Sequence, residues 1–226
     1  MKFSDNLRFF YPRKHKQLVK RVLFDLKFWR RFITARPQLG FDYMLGNLPT
    51  NKATLACDAS SSWGMAGVLT FDQRNRDKDG VAGLFWQINW LDWQQMATMT
   101  ELTAGSVKIN IAEFISALIT CDTFATYCTG KITTLSIDNI TAKAWLDTAR
   151  CPRAPYDRCA QGSHLHRLKM NMKIKTSWIP SAQNIVADTC SRVAFTSQTR
   201  GQLHMIAGHC LRRISPKLNE LLRYYK

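Results

Sequence analysis

The feature that most constrains this 226-residue chain is a change of period repeated between Ala53 and Arg192. Short apolar runs of strand length, closed by turn residues, alternate with stretches whose apolar residues recur at helical spacing. Thr54-Leu55-Ala56-Cys57-Asp58 reads as a buried strand. Gly64 to Thr70 reads as a second, and Gly83 to Trp90 as a third, beyond a polar loop from Asp72 to Gly80. Ile109 to Cys128 reads as a long helix with Phe114, Ile115, Leu118 and Ile119 on its apolar side. Ile132 to Asp138 is a fourth strand and Ile140 to Ala149 a helix. Lys173 to Ile179 alternates as a fifth strand, with Ile174, Thr176 and Trp178 on one face. After the turn Pro180-Ser181-Ala182-Gln183, Asn184 is placed to cap a helix running to Arg192. Residues 91–108 show no clear period, and Cys151 to Gly162, rich in Pro, Cys and Arg, reads as a loop.

The order β-β-β-α-β-α-β-α limits the topology. Three strands with short links form an antiparallel meander, whereas a strand reached through a helix returns parallel. The expectation is an α/β domain over residues 51–193, with a mixed five-stranded sheet in the order 3-2-1-4-5 and helices packed on it.

Charge divides the chain in the same way. The net +16 is concentrated in the flanks: residues 1–50 hold 11 Lys/Arg against 3 acids, residues 192–226 hold 7 against 1, and residues 51–191 hold 14 against 12. Basic and apolar residues alternate at helical spacing over residues 1–36, and Ile214 to Tyr225 sets Leu218, Leu221 and Leu222 opposite Lys217 and Arg223. The expectation is a basic, connection-like helical extension over 1–50 and a basic helical extension over 194–226. Such flanks attract polyanions through counterion release, or bind a larger assembly.

No apolar run approaches the roughly 18 residues of a membrane span, and the first residues lack the apolar middle of a secretory signal. Seven cysteines without regular spacing fit a reducing compartment better than a disulfide framework. The expected location is therefore intracellular, nucleus or cytoplasm, with no membrane partner. Cys151, Cys159, His164 and His166 are a candidate zinc set, but C-x7-C-x4-H-x-H matches no common ligand spacing.

Four acids stand where this topology could gather them. Asp58 lies on the first strand and Asp138 ends the fourth, its expected neighbour; Glu113 is on the long helix and Asp188 on the last one. Ligand sites in open α/β sheets favour the carboxyl ends of strands. Four clustered carboxylates repel unless cations neutralise them, and hard oxygen ligands select Mg²⁺ or Mn²⁺. Two such ions about 4 Å apart suit in-line displacement at a phosphodiester. The competing account is that Asp58 and Asp138 end strands, Asp188 stabilises a helix and Glu113 is solvated.

At this point the sequence resembles the ribonuclease H domains of retroelement polyproteins. The matching stretches are LACDASSSWGMAGVL, INIAEFISAL, LSIDNITAKAWL and WIPSAQNIVADTCSR, the last similar to the N-x-x-A-D-x-x-S-R ending of those domains. Asp138-Asn139 and the preceding FDLKFWRRFI look most like the tyrosine-recombinase (DIRS-type) retrotransposons, in which a Trp-containing helix links reverse transcriptase to ribonuclease H. The resemblance covers residues 54–192, with a weaker echo at 18–50.

The resemblance implies a ribonuclease H-like fold and endonucleolytic cleavage of the RNA strand of RNA:DNA hybrids with two Mg²⁺ or Mn²⁺ ions. Asp58 and Asp138 would hold both ions or the more central one, and Glu113 and Asp188 would complete one site each. Ser60, Ser61, Asn139, Asn184 and Arg192 would lie along the nucleic acid, and a reverse transcriptase domain or larger nucleoprotein assembly is the implied protein partner. The histidine that many cellular ribonucleases H carry before the final aspartate is missing from Pro180 to Gln183, which bears on turnover. No Y-x-D-D-type motif is present, so polymerase activity is not expected. A polyprotein fragment, a split gene product and a domesticated remnant all fit. Two alternatives stay open: a non-catalytic nucleic-acid-binding or assembly subunit with the same fold, and the integrases and junction resolvases that share its metal logic.

Overall fold

The computed structural model describes residues 48–71, 81–96, 108–208 and 210–225, with scattered positions between 19 and 34. The chain divides into two compact units, Met1–Leu39 and Gly40–Lys226. The described positions between 19 and 34 are helical, as the periodicity there expects, and Thr34 donates its hydroxyl to the Arg30 carbonyl at 2.8 Å. The loop expected from Asp72 to Gly80 lies outside the described residues, as does most of the stretch assigned to the basic N-terminal extension.

In the second unit β1 (Thr50–Ala59), β2 (Gly64–Thr70) and β3 (Gly83–Asn89) form the meander. Helix α1 (Trp90–Met96) occupies the start of the stretch that showed no period. Then come α2 (Ile109–Thr123), the short α3 (Ala125–Cys128), β4 (Ile132–Ile137), α4 (Ile140–Thr148) and α5 (Ala154–Lys169). The chain continues through β5 (Lys173–Trp178), a 3₁₀ turn (Ser181–Gln183), α6 (Ile185–Arg192), α7 (Ser197–Ala207), β6 (Leu211–Arg213) and α8 (Asn219–Tyr225). Strand β4 runs parallel to β1 and β5 parallel to β4, so the expected order 3-2-1-4-5 is present.

Two expectations are corrected. The sheet has six strands, in the order β5-β4-β1-β2-β3-β6, because Leu211–Arg213 pairs parallel to β3 within what reads as a helical extension. Three residues are too few for strand alternation to register, and it is the open edge of β3 that draws them into the sheet. Residues 154–169 are helical where a loop was expected over Cys151 to Gly162. Pro155 falls in the first turn, where its missing N–H is not needed. The buried side of this helix mixes Tyr156, Leu165 and Leu168 with the small residues Cys159, Ala160, Gly162 and Ser163 and the polar Gln161 and Arg167, so no clean apolar stripe marks it in the sequence. Ser163 donates to Asp122 Oδ1 of α2 at 3.2 Å.

The sheet separates two cores. Alternate β1 residues Ala53, Leu55, Cys57 and Ala59 face α2, α4, α5 and α8, whereas Ala56 packs with Ala66, Val68, Phe85, Ala187, Cys190 and Leu203 beneath α6 and α7. Helix α2 is buried from Ile111 through Thr123, so it is a central element and not a surface one. A polar ladder sets its height on the sheet. Trp86 Nε1 donates to Thr120 Oγ1 at 3.2 Å, Thr120 donates to the Ser116 carbonyl at 2.8 Å, and the Ser116 hydroxyl lies 3.0 Å from the Asp58 carbonyl and 2.8 Å from that of Ala66. Gly67 makes room for this ladder, since a Cβ there would stand 2.0 Å from Thr120 Oγ1 and 2.3 Å from Trp86 Nε1.

Gly67→Ala is therefore expected to destabilise the protein by about 2 kcal/mol through overpacking. Gly201→Ala, exposed within α7 with nothing near its added Cβ, should stabilise it by about 0.5–1 kcal/mol through helix propensity. Urea unfolding of the two variants checks both signs, and a neutral Gly67→Ala would contradict the packing account.

Candidate metal centre

Asp58 is the penultimate residue of β1, and Asp138 follows β4 directly. The parallel register Leu55↔Leu135 and Ala56↔Ser136, continued two residues, sets the two acids level at neighbouring strand ends. Glu113 reaches the same point from α2, one turn before Ser116, so the ladder that fixes the helix also fixes its carboxylate. One oxygen each from Asp58, Glu113 and Asp138 lies within 4.8 Å of the others. Among the described residues these are the acids, cysteines and histidines that gather in this way, and Cys151, Cys159, His164 and His166 do not.

Asp58 and Glu113 are buried, at 3% and 4% exposure, which excludes the solvated Glu113 of the competing account. Burial, then the charges of Asp58 and Asp138, push the Glu113 carboxyl up to about 9, with the Ala59 N–H opposing. Burial also raises Asp58, to about 7; its hydrogen bond from Ser191 opposes this, while Asp138 and Asp188 add to it. Two like charges about 4 Å apart repel by roughly 4 kcal/mol at an effective dielectric near 20, so three ionised carboxylates need a counter-ion. A hard cation fits the donor set. The ligands are all oxygens, and Glu113 Oε2 is buried with no hydrogen-bond partner.

Asp188, the fourth expected acid, stands apart from this group. It lies in the first turn of α6, where Arg192 one turn later holds its Oδ1 through Nε and Nη2, each at 2.6 Å. Arg192 itself is exposed.

The other expected contacts divide between exposed and structural positions. Ser61 is exposed, but Ser60 is buried and organises the turn: its hydroxyl lies 2.8 Å from that of Ser62, and its carbonyl accepts from Trp90 Nε1 at 2.9 Å. Asn139 caps α4 by accepting from the Ala142 N–H at 2.9 Å, and donates to Asn110 Oδ1 at 2.9 Å. The expected capping by Asn184 is corrected. It occupies the N-cap position of α6, but its side chain makes no cap; it is buried and donates Nδ2 to the Cys57 carbonyl at 2.9 Å. Its Nδ2 is thus committed to β1, and its Oδ1 is buried without a hydrogen-bond partner.

Three residues absent from the sequence-level site support it. Ser116 holds the Asp58 main chain, as described. Gln87 of β3 donates Nε2 to the carbonyls of Cys190 at 3.1 Å and Val193 at 2.8 Å, pinning the C-terminal end of α6. Ser191 donates its hydroxyl to Asp58 Oδ2. Only Ser191 carried a signal, as the serine of the N-x-x-A-D-x-x-S-R pattern. Gln87 lies within an apolar stretch where nothing marks it, and Ser116 reads only as one of the small residues beside Glu113 that let a helix approach a sheet closely.

Comparison with known proteins leaves the family open. No protein-family model matches the chain, and no curated protein matches it. Among solved structures it is similar to ribonuclease H1 from the halophilic archaeon Halobacterium salinarum NRC-1, at 17% identity and a TM-score of 0.39, covering 61% of this chain and 91% of that one. It is also similar to the N-terminal ribonuclease H domain of Rv2228c from Mycobacterium tuberculosis, solved as a fusion with maltose-binding protein, at 13% identity and a TM-score of 0.38, covering 69% of this chain and 96% of that one. At these values neither likeness bears on activity, and the functional reading stands on the carboxylates and the elements that hold them.

Proposed function

We propose that this protein is a metal-dependent endonuclease that cleaves the RNA strand of RNA:DNA hybrids, as in retroelement replication. The observation that carries the reading is the convergence of Asp58, Glu113 and Asp138 within 4.8 Å, from two adjacent parallel strands and the helix packed on them. The ordered motifs around these acids add the substrate class through their resemblance to retroelement ribonucleases H. In this reading Asp58, Glu113, Asp138 and Asp188 hold two Mg²⁺ or Mn²⁺ ions. When bound, the ions supply a nucleophilic water and neutralise charge at the leaving oxygen.

The protein's own contribution is rigidity. Asp58 and Asp138 are fixed by the β1–β4 pairing and Glu113 by the buried α2. Trp178 donates Nε1 to the Asp138 carbonyl at 3.0 Å, which steadies the chain where β4 ends. Asn139, Ser61 and Arg192 are the polar side chains of the proposal that remain near the surface to meet a sugar-phosphate backbone. Among the described residues no helix is long and apolar enough to cross a membrane.

Labelled hybrid should be cut in Mg²⁺ or Mn²⁺, with cutting abolished by chelator and reduced to background in Asp138→Asn. Absence of cleavage by wild-type protein in either metal, or equal cleavage by the variant, contradicts the reading.

A second expectation concerns pH. A carboxyl whose pKa is raised on folding binds its proton more tightly in the folded state. Its stabilisation is therefore present below the ordinary carboxylate range and is lost as pH climbs toward the raised value. With Asp58 near 7 and Glu113 near 9, the melting temperature of chelator-treated protein should fall between pH 5 and pH 9. Glu113→Gln should flatten most of that fall, and Mg²⁺ should restore stability more at pH 8.5 than at pH 6. Melting temperatures that rise with pH in chelator would exclude this electrostatic account.

A further inference from the structure

We infer that Ser191 is a positioning residue of the centre: its hydroxyl holds the Asp58 carboxylate in register with Glu113 and Asp138 for a hard divalent cation. The inference rests on the reading of those carboxylates as ligands, and it assigns a function to a residue that takes no part in the chemistry proposed above.

Ser191 is fully buried, at 0% exposure, near the C-terminal end of α6. A serine within a helix usually turns its hydroxyl to solvent or back onto its own helix. Ser191 instead reaches across to β1 and donates to Asp58 Oδ2, while its Oγ also lies 2.9 Å from the Asp188 carbonyl. The hydroxyl has a single proton, and an ionised carboxylate is a stronger acceptor than a peptide carbonyl. The proton therefore goes to Asp58 when that group is charged.

The need for such a bond follows from the site. The Asp58 main chain is already fixed by its pairing with Ala66 in the β1–β2 ladder, with the Ser116 hydroxyl shared between their carbonyls, so the remaining freedom is the rotation of its side chain. Repulsion from Glu113 and Asp138 drives that rotation outward, and the hydrogen bond from Ser191 opposes it. The donor is itself immobile. Asn184 ties the start of α6 to Cys57 of β1, and Gln87 ties its end to β3. Asp188 lies three residues before Ser191 on the same helix. One element thus carries an acid proposed as a ligand and the support for another.

The test is Mn²⁺ binding by the full chain, followed by electron paramagnetic resonance of the free ion, with melting temperature in chelator and the KM for hybrid at saturating Mn²⁺ measured alongside. Loss of a hydrogen-bonding partner behind a metal ligand typically costs 10–100-fold in metal affinity. Ser191→Ala is expected to weaken Mn²⁺ binding by about that factor with KM unchanged, and to lower the melting temperature in chelator by no more than the few degrees that one lost buried hydrogen bond accounts for. Ser191→Cys keeps the volume, supplies a poorer donor, and should weaken binding in the same direction if the alanine variant folds badly. Thr189→Ala, at a half-buried position of α6 where the hydroxyl turns back onto the Ile185 carbonyl, should bind Mn²⁺ like wild type. Wild-type affinity in both Ser191 variants overturns the assignment, as does an equal loss in Thr189→Ala or a loss matched by a larger fall of stability in chelator than that one bond explains. Wild-type protein that binds Mn²⁺ without cutting hybrid would remove the nuclease reading and leave the role of Ser191 standing. Wild-type protein that binds no Mn²⁺ would remove both.

Discussion

Carboxylates repel, and this fold brings three of them within 4.8 Å at the end of its central strand pair. Two of the three are buried, where charge is disfavoured by desolvation as well as by repulsion. The surrounding polar contacts are arranged about that point. Ser116 fixes the main chain of Asp58, Ser191 its side chain, Trp178 the carbonyl of Asp138, and the ladder from Trp86 through Thr120 the helix that carries Glu113. Such support has a physical purpose if a cation occupies the centre. Without one, the raised Glu113 and Asp58 protons are what keep the cluster from separating.

Helix α2 links packing to chemistry. It is buried along almost its whole length between the sheet and the helices α5 and α8, so its position cannot drift without disturbing the larger core. Its close approach to β2 is possible because Gly67 presents no side chain at the contact. The second core, under α6 and α7, does the same for the helix bearing Asp188 and Ser191. Each face of the sheet thus delivers acidic or supporting groups to one strand end, which explains why residues from four separate stretches of sequence converge.

Much of this was legible in the residues themselves. The repeated change of period identifies the strands and their order, because crossover helices leave few choices for parallel pairing. The acids could be placed by asking which strand ends the topology brings together. What escaped has a physical reason in each case. Leu211–Arg213 becomes a strand because β3 offers an open edge, a tertiary fact with no local signal. Helix α5 hides behind Pro155 and a buried side in which small and polar residues interrupt Tyr156, Leu165 and Leu168. Asn184 looks like a cap but serves β1, since its position over Cys57 is set by how α6 packs. Asp188 has the expected place in the chain, and one oxygen of its carboxylate, Oδ1, is held by Arg192, a pairing that i,i+4 spacing permits but does not require.

The measurement that bears most directly on the account is manganese anomalous scattering from crystals of the full chain soaked in Mn²⁺. The expected result is manganese bracketed by Asp58, Glu113 and Asp138, with a second ion on the side of Asp188. Crystals that show no manganese at these carboxylates, with the three acids apart from one another, would contradict it.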